Sequence, residues 1–168
     1  MFDRFSNDAK RTMSFARQHA LRLGHDCITP EHLLFGLLEL PQCSAVVLLQ
    51  RLGVDRAALA ADLDRLIRPE ATPVTLGQLP FTPQAKRVLE YMFEEYSQLG
   101  HRSVGTGHLL LGLLRSEGTV ACTALAHGTV ALAAVRTALA EPGGLGTGEP
   151  FDTDKRRCLL ISNSTMHG

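Results

Sequence analysis

Apolar residues in the first segment of the chain fall at Ala9, Met13, Ala16, Ala20 and Leu23. Steps of four and three alternate, which places all five on one face of an α-helix. The same phase returns at Ala85, Leu89, Met92, Tyr96 and Leu99. Each stretch has a start signal, Ser6 in one and Thr82 followed by Pro83 in the other, because a hydroxyl caps free N–H groups and proline suits the first helical position. Each ends at a glycine, Gly24 or Gly100, able to adopt the left-handed conformation that closes a helix. A second, shorter helix is predicted to open at Thr29-Pro30-Glu31-His32 and at Thr106-Gly107-His108, with threonine as the cap. It continues as Leu-Leu-x-Gly-Leu-Leu, and leucines around so much of the circumference predict burial on most sides. Gly36 and Gly112 cost about 1 kcal/mol each relative to alanine within a helix, so their recurrence predicts a second backbone passing close by. Third and fourth helices are expected at 43–51 and 55–67, then at 119–127 and 130–140, broken by Gly53 and Gly128.

These matches define an internal repeat. Phe5 aligns with Phe81, Ala9-Lys10-Arg11 with Ala85-Lys86-Arg87, and Leu23-Gly24-His25 with Leu99-Gly100-His101, all at an offset of 76 residues without a gap. The fold class expected is therefore all-α, eight helices in two four-helix repeats covering 1–67 and 81–140. The proline-rich, aperiodic stretch 68–80 reads as a linker, and 141–168 as a mobile tail.

Composition narrows the function. Apolar residues make up 45% of the 168 and charged residues 20%, ordinary values for a chain that folds. Seventeen basic residues balance seventeen acidic ones, so no overall field attracts nucleic acid or an anionic membrane. No stretch reaches the length of a membrane span, and Met1-Phe2-Asp3-Arg4-Phe5 is too charged for a signal peptide. Cys27, Cys43, Cys122 and Cys158 form no CxxC pair, which favours reduced thiols and a cytoplasmic setting. No G-x-x-x-x-G-K-[ST] loop occurs, and the glycine-rich stretch 143–148 lacks the lysine, so nucleotide hydrolysis by that route is excluded.

Met1-Phe2-Asp3-Arg4-Phe5, the two Leu-Gly-His turns, Thr29-Pro30-Glu31-His32-Leu33-Leu34-Phe35-Gly36-Leu37-Leu38 and Leu79-Pro80-Phe81-Thr82-Pro83 together resemble the Clp N-terminal domain, the double-repeat module at the front of ClpA, ClpB and especially ClpC unfoldases. The resemblance runs over about residues 1–140. It implies a pseudo-twofold, eight-helix domain that binds substrate or adaptor proteins on behalf of a Clp ATPase or protease, without a cofactor and without catalysis of its own. It also implies an anion site at the start of the second helix. There the free N–H groups and the helix dipole favour negative charge, and a glutamate can pair with a guanidinium. ClpC-type domains use that site for phosphoarginine, and by similarity Thr29, Glu31 and His32 carry it in repeat 1. Gly107 replaces the glutamate in repeat 2, so the second clamp is expected to be missing and Gly107→Glu to restore it if the backbone accepts a side chain. The plain alternative is that Thr29 and Glu31 only cap and polarise the helix. Phe2 and Phe5 are expected either to staple the first helix or to form a partner surface. The runner-up function is a small enzyme or metal protein built on His25, Cys27 and His32, although their spacing matches no zinc signature and Ser103 stands in for Cys27 in repeat 2.

Overall fold

The computed structural model describes residues 3–69 and 79–141. Eight helices occur among them: α1 (Asn7–Arg22), α2 (Pro30–Leu38), α3 (Ser44–Arg51), α4 (Arg56–Leu66), α5 (Pro83–Leu99), α6 (Thr106–Arg115), α7 (Val120–His127) and α8 (Leu132–Ala140). Ser6 and Thr82 cap α1 and α5, their hydroxyls accepting from the Ala9 and Ala85 N–H groups, each at 3.2 Å. Beyond α1, Gly24 turns left-handed at φ 74°, and the His25 N–H reaches back to the Ala20 carbonyl at 2.9 Å. That closure satisfies carbonyls which the helix end would otherwise strand.

The second helix of each repeat forms the centre. Every residue of α2 except Glu31 is buried, as is every residue of α6 except Arg115. The repeated glycines show why these helices sit so deep. A Cβ on Gly36 would stand 2.4 Å from the Thr12 carbonyl oxygen, and one on Gly112 would stand 2.5 Å from that of Val88. The hydrogen atom at each glycine thus lets α2 lie directly on the backbone of α1, and α6 on that of α5.

The two repeats are joined by exchanged contacts. Phe5 forms a parallel bridge with Val104, and Ile28 forms one with Phe81, so the residue ahead of each first helix pairs with the loop before the other repeat's second helix. Four backbone bonds of 2.7 to 3.0 Å close these bridges. They are isolated bridges; no longer strand pairing occurs among the described residues. In addition, α3 packs on α6 and α7 on α2, each crossing from one repeat to the other. The core is therefore continuous between the repeats. Leu79, at the described end of the segment read as a linker, belongs to that core, and the Pro80 carbonyl closes one of the bridges. Residues 70–78 and the tail from 142 onward lie outside the described residues.

One local expectation is corrected. Gly105, not Thr106, occupies the cap position of α6, and the Thr106 hydroxyl instead receives the Ala45 N–H at 3.1 Å at the start of α3. Gly128 stands at the C-cap of α7, between the third and fourth helices of repeat 2 as expected, and the residue after it, Thr129, takes a positive φ of 58°. Among the described residues no single helix is long and apolar enough to cross a membrane; α6 and α7 pass that test only as a pair bent by 100°.

Candidate functional site

The start of α2 is organised by His32, the third residue of the helix. Its Nδ1 accepts the Thr29 N–H at 2.9 Å and lies 3.0 Å from the Thr29 hydroxyl. Its Nε2 lies 2.8 Å from Nδ1 of His25, and His25 Nε2 lies 2.9 Å from the Arg68 carbonyl. A carbonyl only accepts, so His25 carries its proton on Nε2. His32 must then donate from Nε2 to His25 Nδ1, leaving its own Nδ1 as the acceptor for the cap. The chain of bonds is complete only with both rings neutral. Burial, followed by the neighbouring His25 and His19, lowers the His32 pKa to about 4.

Repeat 2 has the same relay. The Gly105 N–H donates to His108 Nδ1 at 2.9 Å, His108 and His101 meet at 2.8 Å, and His101 bonds to the Leu139 backbone. Burial again dominates and brings His108 to about 4. Burial also lowers the pKa of His101. His32 is thus fully buried with both ring nitrogens committed, and it shapes the helix start rather than facing a ligand, contrary to the expectation from sequence. The same commitments occupy His25, and among the described residues no group of three or more His, Cys, Asp or Glu side chains is arranged to hold a metal ion.

Thr29 and Glu31 are half-buried at the surface end of α2. Glu31 reaches across the repeat boundary, where Oε1 accepts the Val120 N–H of α7 at 3.1 Å. Its negative charge therefore stands at the starts of two helices, where both dipoles stabilise it. A carboxylate has acceptor capacity beyond one such bond. In repeat 2 the corresponding Cβ place is taken by a side chain: a Cβ on Gly107 would lie 2.6 Å from Leu139 Cδ2, so Gly107→Glu requires the Leu139 side chain to shift. The glycine makes room for a packed leucine.

Phe5 is 5% exposed and packs against Phe93 of α5 with ring centroids 5.8 Å apart. Its ring is core, and the docking role considered for it is corrected on that ground. Phe2 lies outside the described residues.

Sequence reasoning missed a second cluster, the charged and aromatic groups around His19 and Glu95 at the far ends of α1 and α5. Glu95 is 0% exposed and lies between Arg115 and Arg136. The available signal was the alignment itself, which sets His19 against Glu95 and Glu39 against Arg115.

The family model described as the Clp repeat (R) N-terminal domain matches residues 4–127 and, in a second match, 81–144. The chain belongs to this Clp N-terminal repeat family. A ClpA-homologue ATP-binding subunit of the Clp protease from Guillardia theta is 39% identical over 137 residues, which are 82% of this chain and 17% of that relative. The chloroplastic chaperone ClpC1 of Arabidopsis thaliana is 38% identical over 125 residues, 74% of this chain and 13% of ClpC1. The chain thus spans about one-sixth or less of the curated relatives it matches. Among solved structures, the ClpD N-terminal domain from Arabidopsis thaliana covers 82% of this chain and 92% of its own at a TM-score of 0.63 and 20% identity. The ClpV N-domain in complex with VipB peptide covers 81% and 82%, with a TM-score of 0.64 and 18% identity. These two likenesses are of fold.

Proposed function

We propose that this Clp N-type chain is a non-catalytic recruitment module that holds substrate or adaptor proteins for a Clp ATPase in protein quality control and proteolysis. The observation that carries this reading is the family match across both repeats. The same fold in ClpV was solved with a peptide bound, which supports peptide capture as a use of this architecture. The cytoplasm, or an organelle of similar redox state, is the setting proposed, in keeping with the Cys43 and Cys122 thiols.

Within this reading, phosphoarginine binds at Thr29 and Glu31 in repeat 1, with the glutamate taking the guanidinium and the helix start taking the phosphate. Support comes from the half-buried Glu31 carboxylate at the junction of α2 and α7 and from the leucine that fills the equivalent place in repeat 2. Calorimetric titration of the protein with phosphoarginine is expected to give a stoichiometry near one. Hydrogen bonds to charged groups contribute roughly 1.5–3 kcal/mol, so Glu31→Gln should weaken binding about tenfold to a hundredfold. Two equal sites, or binding indifferent to Glu31, would defeat the residue assignment. No binding would confine recruitment to protein surfaces.

A further inference from the structure

The two repeats differ at the far ends of their first helices, around His19 of α1 and Glu95 of α5. In repeat 2 the buried Glu95 carboxylate of α5 receives Arg136 of α8 side-on, Nε to Oε2 at 3.0 Å and Nη2 to Oε1 at 2.6 Å. Arg115 of α6 adds Nη1 to Oε1 at 3.1 Å. Burial on its own would raise the Glu95 pKa, and the two guanidinium groups overcome it to hold the carboxyl below its usual range. An arginine side chain therefore occupies a made-to-measure place in repeat 2.

At the offset of 76, Glu95, Arg115 and Arg136 become His19, Glu39 and Ala60. The carboxylate has moved from the first helix of the repeat to the end of the second, and the arginine has shrunk to a methyl group. His19 Nε2 faces Glu39 Oε1 at 3.3 Å, and its ring stacks on Phe35 with centroids 4.3 Å apart and planes 14° from parallel. Ala60, the position aligned with Arg136, lines an open groove of about 460 Å³ in repeat 1 together with His19, Phe35 and Glu39. Asp55, the N-cap of α4, and Asp64 within that helix also line it, against Arg22 and Arg56, so the groove has three carboxylates to two guanidiniums.

We infer that this groove is a binding site for an arginine side chain of a partner polypeptide, seated as Arg136 is seated in the other repeat. The aliphatic stem would take the space over Ala60, the planar guanidinium would lie along the stacked His19–Phe35 pair, and Glu39 would receive its N–H groups. Arginine fits better than lysine because a flat, forked cation both stacks on rings and pairs with a carboxylate through two bonds. Glu39 follows the last residue of α2 and Glu31 lies in its first turn, so the groove and the proposed phosphoarginine site are at opposite ends of one helix. The inference shares with the recruitment reading only the assumption that the partner is a polypeptide.

The test is titration of the full isotope-labelled chain with acetyl-Gly-Arg-Gly-amide, followed by NMR, beside the same tripeptide carrying citrulline, which keeps the shape without the charge. Saturable shifts at the Glu39 and Ala60 amides are expected with arginine and not with citrulline. Glu39→Gln should weaken binding about tenfold through the lost charge-assisted pair. Ala60→Arg, which fills the groove from within, should abolish it. Absence of saturable shifts there, equal shifts with citrulline, or undiminished binding in the folded variants would overturn the proposal. Should Ala60→Arg fail to fold, Glu39→Gln decides, since it changes only the acceptor oxygens of one partly exposed side chain. The phosphoarginine site is read separately, through the Glu31 and Val120 amides and Glu31→Gln, so either site can fail without the other.

Discussion

At the scale of single residues, the histidine relays determine how the protein responds to acid. His32 and His108 are held neutral with pKa values near 4 in the folded state, against about 6.5 in an unfolded chain. Between those values the unfolded chain binds more protons, so folding weakens as pH falls through the window from 6.5 to 4 and is unaffected by these rings above it. Each depressed ring accounts for roughly 3 kcal/mol by the lower end. Thermal melts at stepped pH should show the Tm falling steadily below 6.5, and a flat Tm down to pH 5 would contradict the relay. Glu95 contributes in a lower window: its folded pKa is depressed, so its stabilisation is complete above the ordinary glutamate value and is lost as pH falls below that value toward the depressed folded one. Removing its main partner by Arg136→Met leaves a buried carboxylate with Arg115 alone, and a loss of about 3 kcal/mol is expected in denaturant melts at neutral pH. Part of this was legible in the sequence. The recurrence of both histidines without the cysteine separates a shared structural task from chemistry confined to one repeat. The direction of each ring was not legible, because it depends on a backbone N–H brought to Nδ1 by the helix cap. Nor was the loss of His32 as a ligand, since helix-start spacing suits a capping residue and a binding residue equally.

At the scale of helices, the repeated Leu-Leu-x-Gly-Leu-Leu pattern was the most informative stretch of the chain. Leucine on most faces predicts a central helix, and glycine within it predicts a crossing backbone; the carbonyls of Thr12 and Val88 are those backbones. Gly112→Ala must push α6 off α5, and overpacking of that kind costs about 1–3 kcal/mol or more. Circular dichroism melts of the Gly36→Ala and Gly112→Ala variants should both show that loss, whereas a neutral outcome would mean that the helices slide apart without cost. The polar residues on the inner face of α1 were harder to read. Thr12 and His19 fall between the apolar positions yet are buried, Thr12 by turning its hydroxyl to the Asp8 carbonyl at 2.9 Å and His19 by stacking on Phe35. Periodicity identifies apolar side chains and is silent about polar ones whose bonds are satisfied locally. Thr106 misled for a related reason: a hydroxyl beside a helix start resembles a cap from sequence, while here it serves a different helix 61 residues away.

At the scale of the whole molecule, the repeats form one folding unit because each completes the other. Phe5 pairs with Val104, Ile28 with Phe81, Glu31 holds the start of α7, and Thr106 holds the start of α3. Expressed alone, residues 1–78 lack the partners of both bridges and of α2, so this half is expected to be unfolded or self-associated by size-exclusion chromatography and circular dichroism. Mixing it with 79–168 should recover helical signal, and an isolated half as stable as the full chain would refute the interdependence. The exchange also fixes an order of events during synthesis. The Ile28 bridge can close once Thr82 has been made, but Phe5 must wait for Val104, roughly a hundred residues behind it. At about 5–20 residues per second that is on the order of 5–20 s in which the segment around Phe5 exists before the loop that pairs with it has been made. The start of repeat 1 is thus made long before it is fastened, and in the newborn chain this interval exposes Phe5, and with it the edge of that repeat, to chaperones and proteases.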